Sequence, residues 1–217
     1  MTAAILGAGD FPRKEYPRYL LRNADIIICC DSAFAGYLRH MTALFGRERL
    51  PEAVVGDMDS IPASLRRQYS SLMVHIDEQD DNDQTKAFRF LIEHFPDVTD
   101  ITIVGATGKR EAHTIGNISL LMEYTRMFDL AGKRVQMVSD YSTIFAITDT
   151  ATLDVGEGRP VSIFSPDNTL KIKSAGLKWP TDSVVFDNWW PATLNRATHD
   201  RITLTFSHPS LALVILD

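Results

Sequence analysis

The chain has 217 residues, which is long enough for one large domain or two small ones. Hydrophobic residues make up 45% of it and charged residues 23%, a composition that excludes an intrinsically disordered protein. The formal net charge of −6 excludes the general basic surface that binds nucleic-acid backbones. An acidic chain of this kind binds an anionic nucleotide only through local cations or a bound metal ion.

The sequence also indicates a compartment. Its first residues lack the basic segment and long apolar run of a signal peptide, and no uncharged apolar stretch reaches the roughly 18 residues of a membrane span. The two cysteines, Cys29 and Cys30, are adjacent inside an apolar run, where we expect buried, reduced thiols. We therefore expect a cytoplasmic protein whose partners include neither a membrane nor a nucleic acid.

Up to about residue 138, short apolar runs alternate with segments of helical period. The runs that predict strands are Ala3–Leu6, Ile26–Cys30, Ala53–Val55, Leu72–Ile76, Ile101–Val104 and Val135–Val138. The helices predicted between them are Tyr16–Asn23, Ala33–Phe45, Pro62–Tyr69, Gln84–Phe95 and Thr114–Phe128. This alternation predicts a mostly parallel three-layer α/β domain over residues 1–138, with helices on both faces of its sheet.

After about residue 139 the helical period disappears. The short runs that predict strands are Val161–Phe164, Leu170–Lys173, Val184–Phe186, Ile202–Phe206 and Leu211–Leu216. Turn signals such as Gly156-Glu157-Gly158 and His208-Pro209 separate them. The pattern predicts a C-terminal antiparallel β-sandwich domain over residues 139–217.

Polar residues follow four strands of the first domain at the point where each strand ends. Open α/β sheets bind ligands in the crevice beyond the carboxyl ends of their strands. The segments that reach this edge are Asp31-Ser32, Gly56–Ser60, Asp77–Asp83 and Gly105–Arg110. The sequence therefore predicts a binding site along one edge of the sheet.

The segment Gly56–Ser60 carries two aspartates at alternate positions. Alternate residues of an extended segment point the same way, so Asp57 and Asp59 are able to present two carboxylates to one hard cation such as Mg²⁺. The alternative is a turn in which Ser60 is the N-cap of a helix that starts near Ile61 and Pro62. Capping accounts for Ser60, but it leaves both aspartates unexplained.

The segment Asp83–Lys86 begins the fourth predicted helix. Asp83 is a natural N-cap residue, and capping alone would account for its position. Lys86 lies three residues further on, where the helix dipole disfavours a cation, so its presence predicts a nearby phosphate. The acidic residues of Asp77–Asp81 are expected to form a solvated loop.

The segment Gly105–Asn117 looks at first like a P-loop. It has only two residues between Gly105 and Gly108, where a P-loop has four, and Arg110 stands in place of the Ser or Thr, so that motif is excluded. What remains is a Gly-rich turn that leads into a helix with Arg110, His113 and Asn117 on one face. Backbone amides at such a turn approach an anion, and Arg110 adds a bidentate phosphate clamp. The alternative is an ordinary turn with exposed Lys and Arg.

Taken in order, Gly56–Ser60, Asp83–Lys86 and Gly105–Asn117 resemble the motifs of the thiamine pyrophosphokinase family. Cys30–Ala33 is similar to the family's Cys-Ala-Asp-Gly-Gly stretch, and Gly176–Trp179 matches its Gly-Leu-Lys-Trp motif. The resemblance implies an α/β catalytic domain followed by a β-sandwich thiamine-binding domain in a homodimer. The implied reaction transfers pyrophosphate from ATP to the thiamine hydroxyl, which gives thiamine diphosphate and AMP.

The resemblance also implies roles for individual residues. The carboxylates that would surround Mg²⁺ are those of Asp31, Asp57, Asp59 and Asp83. Of these, the residues implied as catalytic are Asp57, Asp59 and Asp83, with Asp83 as the candidate that receives the hydroxyl proton. The side chains that would face the phosphates of ATP are Lys86, Arg110 and His113. The residues that would contact thiamine, in an active site shared between subunits, are Gln79, Trp179 and Asn195.

Two segments depart from the family pattern. Ala112 stands where the family has an aspartate, and Ala192–Asn195 lacks the serines of the family's thiamine contact, although Asn195 aligns with its asparagine. Two alternatives therefore stay open. The first is a pyrophosphokinase or metal-dependent phosphohydrolase that acts on another heterocycle, and the second is a catalytically inactive thiamine or nucleotide sensor.

Overall fold

The computed structural model describes all 217 residues. The chain forms two compact units: Met1–Leu120 with Leu130–Asp140, and Leu121–Asp129 with Tyr141–Asp217. None of its helices combines the length and the apolar character needed to cross a membrane.

The first unit is built on six parallel strands with helices between them. The strands are β1 (Thr2–Leu6), β2 (Ile26–Cys30), β3 (Ala53–Gly56), β4 (Met73–His75), β5 (Asp100–Val104) and β6 (Arg134–Val138). The helices that begin in this unit are α1 (Glu15–Asn23), α2 (Asp31–Phe45), α3 (Ala63–Gln68), α4 (Asp83–His94) and α5 (Glu111–Met127), of which residues 121–127 belong to the second unit. The strand order is β6-β5-β1-β2-β3-β4, and every pair is parallel. The predicted parallel α/β architecture is confirmed.

The centre of this sheet is apolar on both faces. All five residues of β2 are buried, which is typical of a parallel strand covered by helices on both sides. Phe34 and Phe88, on α2 and α4, are completely buried. Cys29 and Cys30 are free, buried thiols as predicted, and burial raises the pKa of both.

The second unit contains two antiparallel sheets. Its strands are β7 (Thr143–Ile147), β8 (Ala151–Asp154), β9 (Pro160–Phe164), β10 (Ile172–Ala175), β11 (Asn195–Arg196), β12 (Arg201–Phe206) and β13 (Ala212–Leu216). One sheet has the order β11-β9-β13-β7 and the other β10-β12-β8. Buried side chains from both sheets pack in one hydrophobic cluster, including Val161 and Val214 from the first and Ile172 and Ile202 from the second. This arrangement confirms the predicted antiparallel sandwich.

One predicted strand of this unit is wrong. Val184–Phe186 has no strand conformation, because the backbone turns there with the Val184 amide donating to the carbonyl of Thr181. Phe186 is nevertheless buried in the hydrophobic cluster and Val184 packs against it, which accounts for the apolar pattern. Strands β7 and β8, which the sequence did not predict, complete the two sheets.

Candidate active site

Three carboxylates meet at the carboxyl ends of β2 and β3. Asp31 is the first residue of α2, Asp57 follows β3, and Asp83 is the first residue of α4. The Asp31 carboxyl interacts directly with those of Asp57 and Asp83. Asp31 is only 1% exposed, and its buried Oδ2 has no hydrogen-bond partner. A buried oxygen without a donor, next to two other carboxylates, is an arrangement that a cation stabilises.

The pKa values reflect this crowding. Burial raises the pKa of Asp83 to about 6, and the charges of Asp31 and Asp57 add to the effect. Burial also raises the pKa of Asp31, with a further contribution from Asp57. The pKa of Asp57 is lowered instead, mainly because its carboxylate accepts a hydrogen bond from the backbone amide of Asp59. Asp57 therefore carries the most stable negative charge of the three.

The turn after β3 does not have the extended form that the sequence suggested. Met58 has a φ of 66° and is buried, so Asp57 and Asp59 do not alternate along one straight segment. The Asp59 amide donates to Asp57 Oδ1 at 3.0 Å, while the Asp59 side chain is exposed. Ser60 is not an N-cap either, because α3 begins at Ala63 directly after Pro62. The turn thus fixes Asp57 and leaves Asp59 on the surface.

The start of α4 differs from the prediction in a way that bears on the site. The N-cap is Asn82, whose side chain accepts a hydrogen bond from the Thr85 amide at 2.9 Å. Asp83 is therefore not the N-cap, and its carboxylate is left to face Asp31 and Asp57. The Asn82 amide also donates to Asn117 Oδ1 at 3.1 Å, which joins the first turn of α4 to α5.

Lys86 lies beneath the carboxylates. It is 2% exposed, and its Nζ donates to the carbonyl of Ile76 at 3.2 Å. Its charge lowers the pKa of both Asp57 and Asp83. The position of this cation near a helix start is thus accounted for by the neighbouring carboxylates; its predicted contact with phosphates stays a prediction.

A cavity of about 640 Å³, called the first cavity, opens beside the carboxylates. Its lining includes Asp83 together with Arg110 and His113, which are exposed at the start of α5. The structure therefore brings these three predicted residues to one cavity. Ala112, at the position of the missing family aspartate, lines it as well.

The loop Gly7–Gly9, at the carboxyl end of β1, is a wall of the first cavity that the sequence reasoning missed. The Gly7 and Gly9 amides donate to the carbonyls of Val104 and Gly105, and Lys109 Nζ donates to the Ala8 carbonyl at 2.5 Å. A Cβ atom on Gly7 would lie 2.9 Å from the Gly105 carbonyl oxygen, so only glycine allows the two loops to pack this closely. The sequence signal that could have predicted this loop is Gly-Ala-Gly, directly after the first apolar run.

Gln79 lies on the acidic loop before α4. Its Nε2 donates to the Asp77 carbonyl at 3.1 Å, and its side chain makes a small contribution to lowering the pKa of Asp57. The sequence suggested a solvated loop here. The structure shows ion pairs as well, because Arg89 pairs with Asp81 and with Glu78, the latter at 3.7 Å. Arg89 thus holds the loop that carries Gln79.

The other two predicted thiamine contacts lie in the second unit. The Trp179 side chain is 53% exposed, and Lys178 Nζ lies 4.7 Å from the centroid of its ring. Asn195 is buried; its Oδ1 accepts from the Trp179 amide at 3.1 Å, and its Nδ2 donates to the Trp179 carbonyl at 2.6 Å. Asn195 therefore fixes the backbone of Trp179, and its own contact with thiamine stays a prediction.

The carboxylates of Asp31, Asp57 and Asp83 are the kind of ligand that a magnesium ion prefers, but they do not form a complete set of ligands. Carboxylate oxygens are the donors that Mg²⁺ prefers, and the unpartnered Oδ2 of Asp31 is available to one. No group of three or more His, Cys, Asp or Glu side chains is arranged to hold a metal ion by itself. An ion here would take its remaining ligands from phosphate oxygens and water, which is the usual arrangement for Mg²⁺ at nucleotide sites.

Comparisons with protein families match both halves of the chain. The family model described as thiamin pyrophosphokinase, catalytic domain, matches residues 17–130. The model described as thiamin pyrophosphokinase, substrate-binding domain, matches residues 143–211. Together the two matches span most of the sequence.

Individual relatives agree with these matches. Thiamine pyrophosphokinase 1 of Oryza sativa subsp. japonica is 28% identical over 147 residues, which cover 61% of this chain and 53% of the rice protein. The chain thus spans about half the length of that relative. Thiamine pyrophosphokinase 3 of the same species is 27% identical over 197 residues, covering 78% of this chain and 71% of the relative.

Solved structures show the same fold. Thiamin pyrophosphokinase from Candida albicans superposes with a TM-score of 0.77 at 16% identity, covering 98% of this chain and 89% of that one. The enzyme from Geobacillus thermodenitrificans gives a TM-score of 0.74 at 23% identity, covering 100% and 97%. At these identities the likeness establishes the fold alone.

Proposed function

This chain belongs to the thiamin pyrophosphokinase family, and we propose that it transfers the pyrophosphoryl group of ATP to the hydroxyl of thiamine, giving thiamine diphosphate and AMP. The observation that carries the proposal is the meeting of Asp31, Asp57 and Asp83 beside a cavity that Arg110 and His113 also line. Such a site combines acceptors for a cation with donors for phosphate oxygens.

Phosphoryl and pyrophosphoryl transfer demand little covalent chemistry from the protein, so positioning and charge neutralisation dominate catalysis. In the proposed reaction, the Arg110 guanidinium and the His113 ring bind oxygens of the triphosphate in the first cavity. Lys86, buried under the carboxylates, limits the repulsion between Asp57 and Asp83 and so holds them in place. The hydroxyl oxygen of thiamine then attacks the β-phosphorus in line with the leaving AMP.

We propose that Mg²⁺ is held by Asp31, Asp57 and Asp83, with Asp59 at the rim of the same turn. When bound, it would neutralise charge on the phosphate oxygens and orient the triphosphate. Removing the metal with EDTA should therefore abolish turnover, and adding Mg²⁺ back should restore it.

Asp83 is the proposed acceptor of the hydroxyl proton. Its carboxylate lines the first cavity, where the triphosphate and the attacking hydroxyl are proposed to bind, so it is placed within reach of the hydroxyl proton. Its helix position is compatible with the role, because Asn82 and not Asp83 is the N-cap of α4.

Thiamine recognition is proposed for Trp179, Gln79 and Asn195. The exposed indole of Trp179 offers a face to the cationic thiazolium ring, an interaction worth about 0.5–2 kcal/mol. Asn195 would act by fixing the Trp179 backbone, and Gln79 would act beside Asp57.

We further propose a homodimer that shares its active site between subunits. The second unit exposes several large apolar side chains, and apolar surface of this kind is typical of an interface. These side chains are Trp179, Val185, Trp189, Trp190 and Leu194. Light scattering during size-exclusion chromatography should give twice the chain mass for the wild type and a smaller mass for Trp190→Asp.

The decisive experiment is incubation with thiamine, ATP and Mg²⁺, followed by chromatographic identification of the products. Thiamine diphosphate and AMP in equal amounts support the proposal, and Asp57→Asn should abolish both. The sensor alternative rests on Ala112, which lines the first cavity, and on the altered segment Ala192–Asn195. Thiamine binding by calorimetry without release of AMP would favour that alternative, and products formed only with another heterocyclic alcohol would favour a different pyrophosphokinase.

A further inference from the structure

The first unit contains a second cavity, of about 620 Å³, which none of the predicted site residues line. It lies on α2 and on the segment between β1 and α1, and it shares the loop Gly7–Gly9, Ser32 and Lys109 with the first cavity. A volume of this size is typical of small-molecule sites.

Three arginines, Arg13, Arg18 and Arg39, line this second cavity, and none of them pairs with a carboxylate. The only acidic residue in the lining is Asp10, whose carboxylate packs against the backbone of Gly108. The chain as a whole carries a net charge of −6. The Arg18 guanidinium donates to the Ala43 carbonyl at 3.4 Å, which leaves its charge uncompensated. Three guanidinium groups without a carboxylate partner around one cavity of an acidic protein produce a local positive potential that attracts anions.

The walls of the second cavity are held in place by hydrogen bonds. The Asp10 amide donates to the Thr107 carbonyl at 2.8 Å, and the Arg13 and Lys14 amides each donate to Asp140 Oδ1 at 2.9 Å. A ligand therefore meets a segment that is already ordered, which reduces the entropy cost of binding.

The shape of the second cavity follows from the sequence of α2. The small residues Ala35 and Gly36 leave room, while Arg39 and His40, one turn later, bring donors to the same face. The His40 ring stacks on Phe11 at a centroid distance of 4.2 Å and adds a flat apolar surface.

We propose that this second cavity binds a phosphate-bearing ligand of nucleotide size. Guanidinium groups bind phosphate oxygens in bidentate geometry, and the stacked Phe11–His40 pair offers a surface for a ring attached to the phosphate. The phosphate has two possible sources: the ATP of the proposed reaction, reaching across Gly7–Gly9, or a separate anionic effector. The proposal itself does not depend on thiamine being the acceptor.

The test is calorimetric titration with inorganic pyrophosphate in EDTA, where the carboxylates of the first cavity repel the probe. The starting protein is Arg110→Ala, which weakens anion binding at the first cavity. We expect this protein to bind pyrophosphate, and Arg13→Ala with Arg39→Ala in the same background to weaken binding at least about tenfold, as loss of charge-assisted hydrogen bonds predicts. Arg67→Ala, an exposed arginine of α3 outside both cavities, is the matched control and should change nothing.

Equal affinity in the Arg13/Arg39 variant and its parent would overturn the proposal, as would absence of pyrophosphate binding in the parent. Circular dichroism establishes that each variant is folded. The two sources are separated by kinetics in the otherwise wild-type protein. A higher KM for ATP in Arg39→Ala assigns the site to the phosphates of ATP, while an unchanged KM together with lost pyrophosphate binding assigns it to a separate effector.

Discussion

Gly56 and Asp31 are packed so closely that a Cβ atom on Gly56 would lie 2.7 Å from both the Cβ and the Cγ of Asp31. Carbon atoms that are not bonded normally stay about 3.5–4.0 Å apart. The absence of a side chain at the end of β3 is therefore what allows the Asp31 carboxylate to sit against this strand and reach Asp57 and Asp83.

Gly56→Ala should displace Asp31. We expect turnover to fall about 100-fold, because a shift of about 1 Å in a catalytic group costs that much. Stability should fall by about 1–3 kcal/mol from overpacking. Steady-state kinetics and urea unfolding measure the two effects. A folded variant with normal turnover would show that the position of Asp31 does not matter for catalysis.

Asp31→Asn should have opposite effects on stability and activity. The uncharged amide removes repulsion from Asp57 and Asp83, so we expect a higher Tm than wild type in EDTA. With Mg²⁺, turnover should fall at least about 100-fold, since the proposed metal site loses one of its charged ligands. The control is Asp59→Asn, the same change at an exposed carboxylate, which should leave the Tm in EDTA unaltered. A lower Tm for Asp31→Asn in EDTA would contradict the crowding that we infer.

Trp179 and Asn195 should act as one unit toward thiamine. Trp179→Ala should raise the KM for thiamine about 2- to 30-fold, the range of a cation–π interaction, and leave the KM for ATP unchanged. Asn195→Ala should raise it too, because the Trp179 backbone loses both hydrogen bonds to the amide. The double variant should then be no worse than Trp179→Ala alone. Additive effects would instead indicate that Asn195 contacts thiamine itself.

Asp167 should make the second unit sensitive to acid. Hydrogen bonds from Thr169, Ser210 and His208 hold the pKa of Asp167 well below its usual range. Because the folded pKa lies below the unfolded value of about 3.9, the stabilisation is present above that pH and is lost as the pH falls toward the folded pKa. Asp167→Asn should therefore be less stable than wild type at pH 7, with a smaller gap at pH 3. Urea unfolding at both pH values measures this, with the exposed Asp182→Asn as control. A gap that does not narrow in acid would exclude the mechanism.

The sequence predicted the parallel sheet and the family well, because apolar runs and strand-end residues are local signals. Ile26–Cys30 is a strand with the predicted bounds, and Asp31 and Asp57 follow their strands as expected. Family membership, inferred from three motifs in order, is confirmed by the matches to both domains.

One error arose where two neighbouring residues compete for one role. Asn82 and Asp83 are both good N-caps, and only the tertiary contact between Asn82 and Asn117 decides which of them caps α4. Sequence spacing also cannot show that the Lys86 side chain is buried near Asp57 and Asp83, and its contact with a phosphate stays a prediction. In both cases the deciding partner lies far away in the chain or across the sheet.

The reactivity of the adjacent thiols of Cys29 and Cys30 reports whether strand β2 is paired with its neighbours. Both side chains are buried and both have raised pKa values, so neither supplies the exposed thiolate with which maleimides and disulfide reagents react. The thiols therefore react only after β2 separates from its neighbouring strands. The rate of thiol modification in urea therefore follows the opening of the catalytic sheet without any engineered probe, and a bound nucleotide that stabilises this sheet should slow it in proportion.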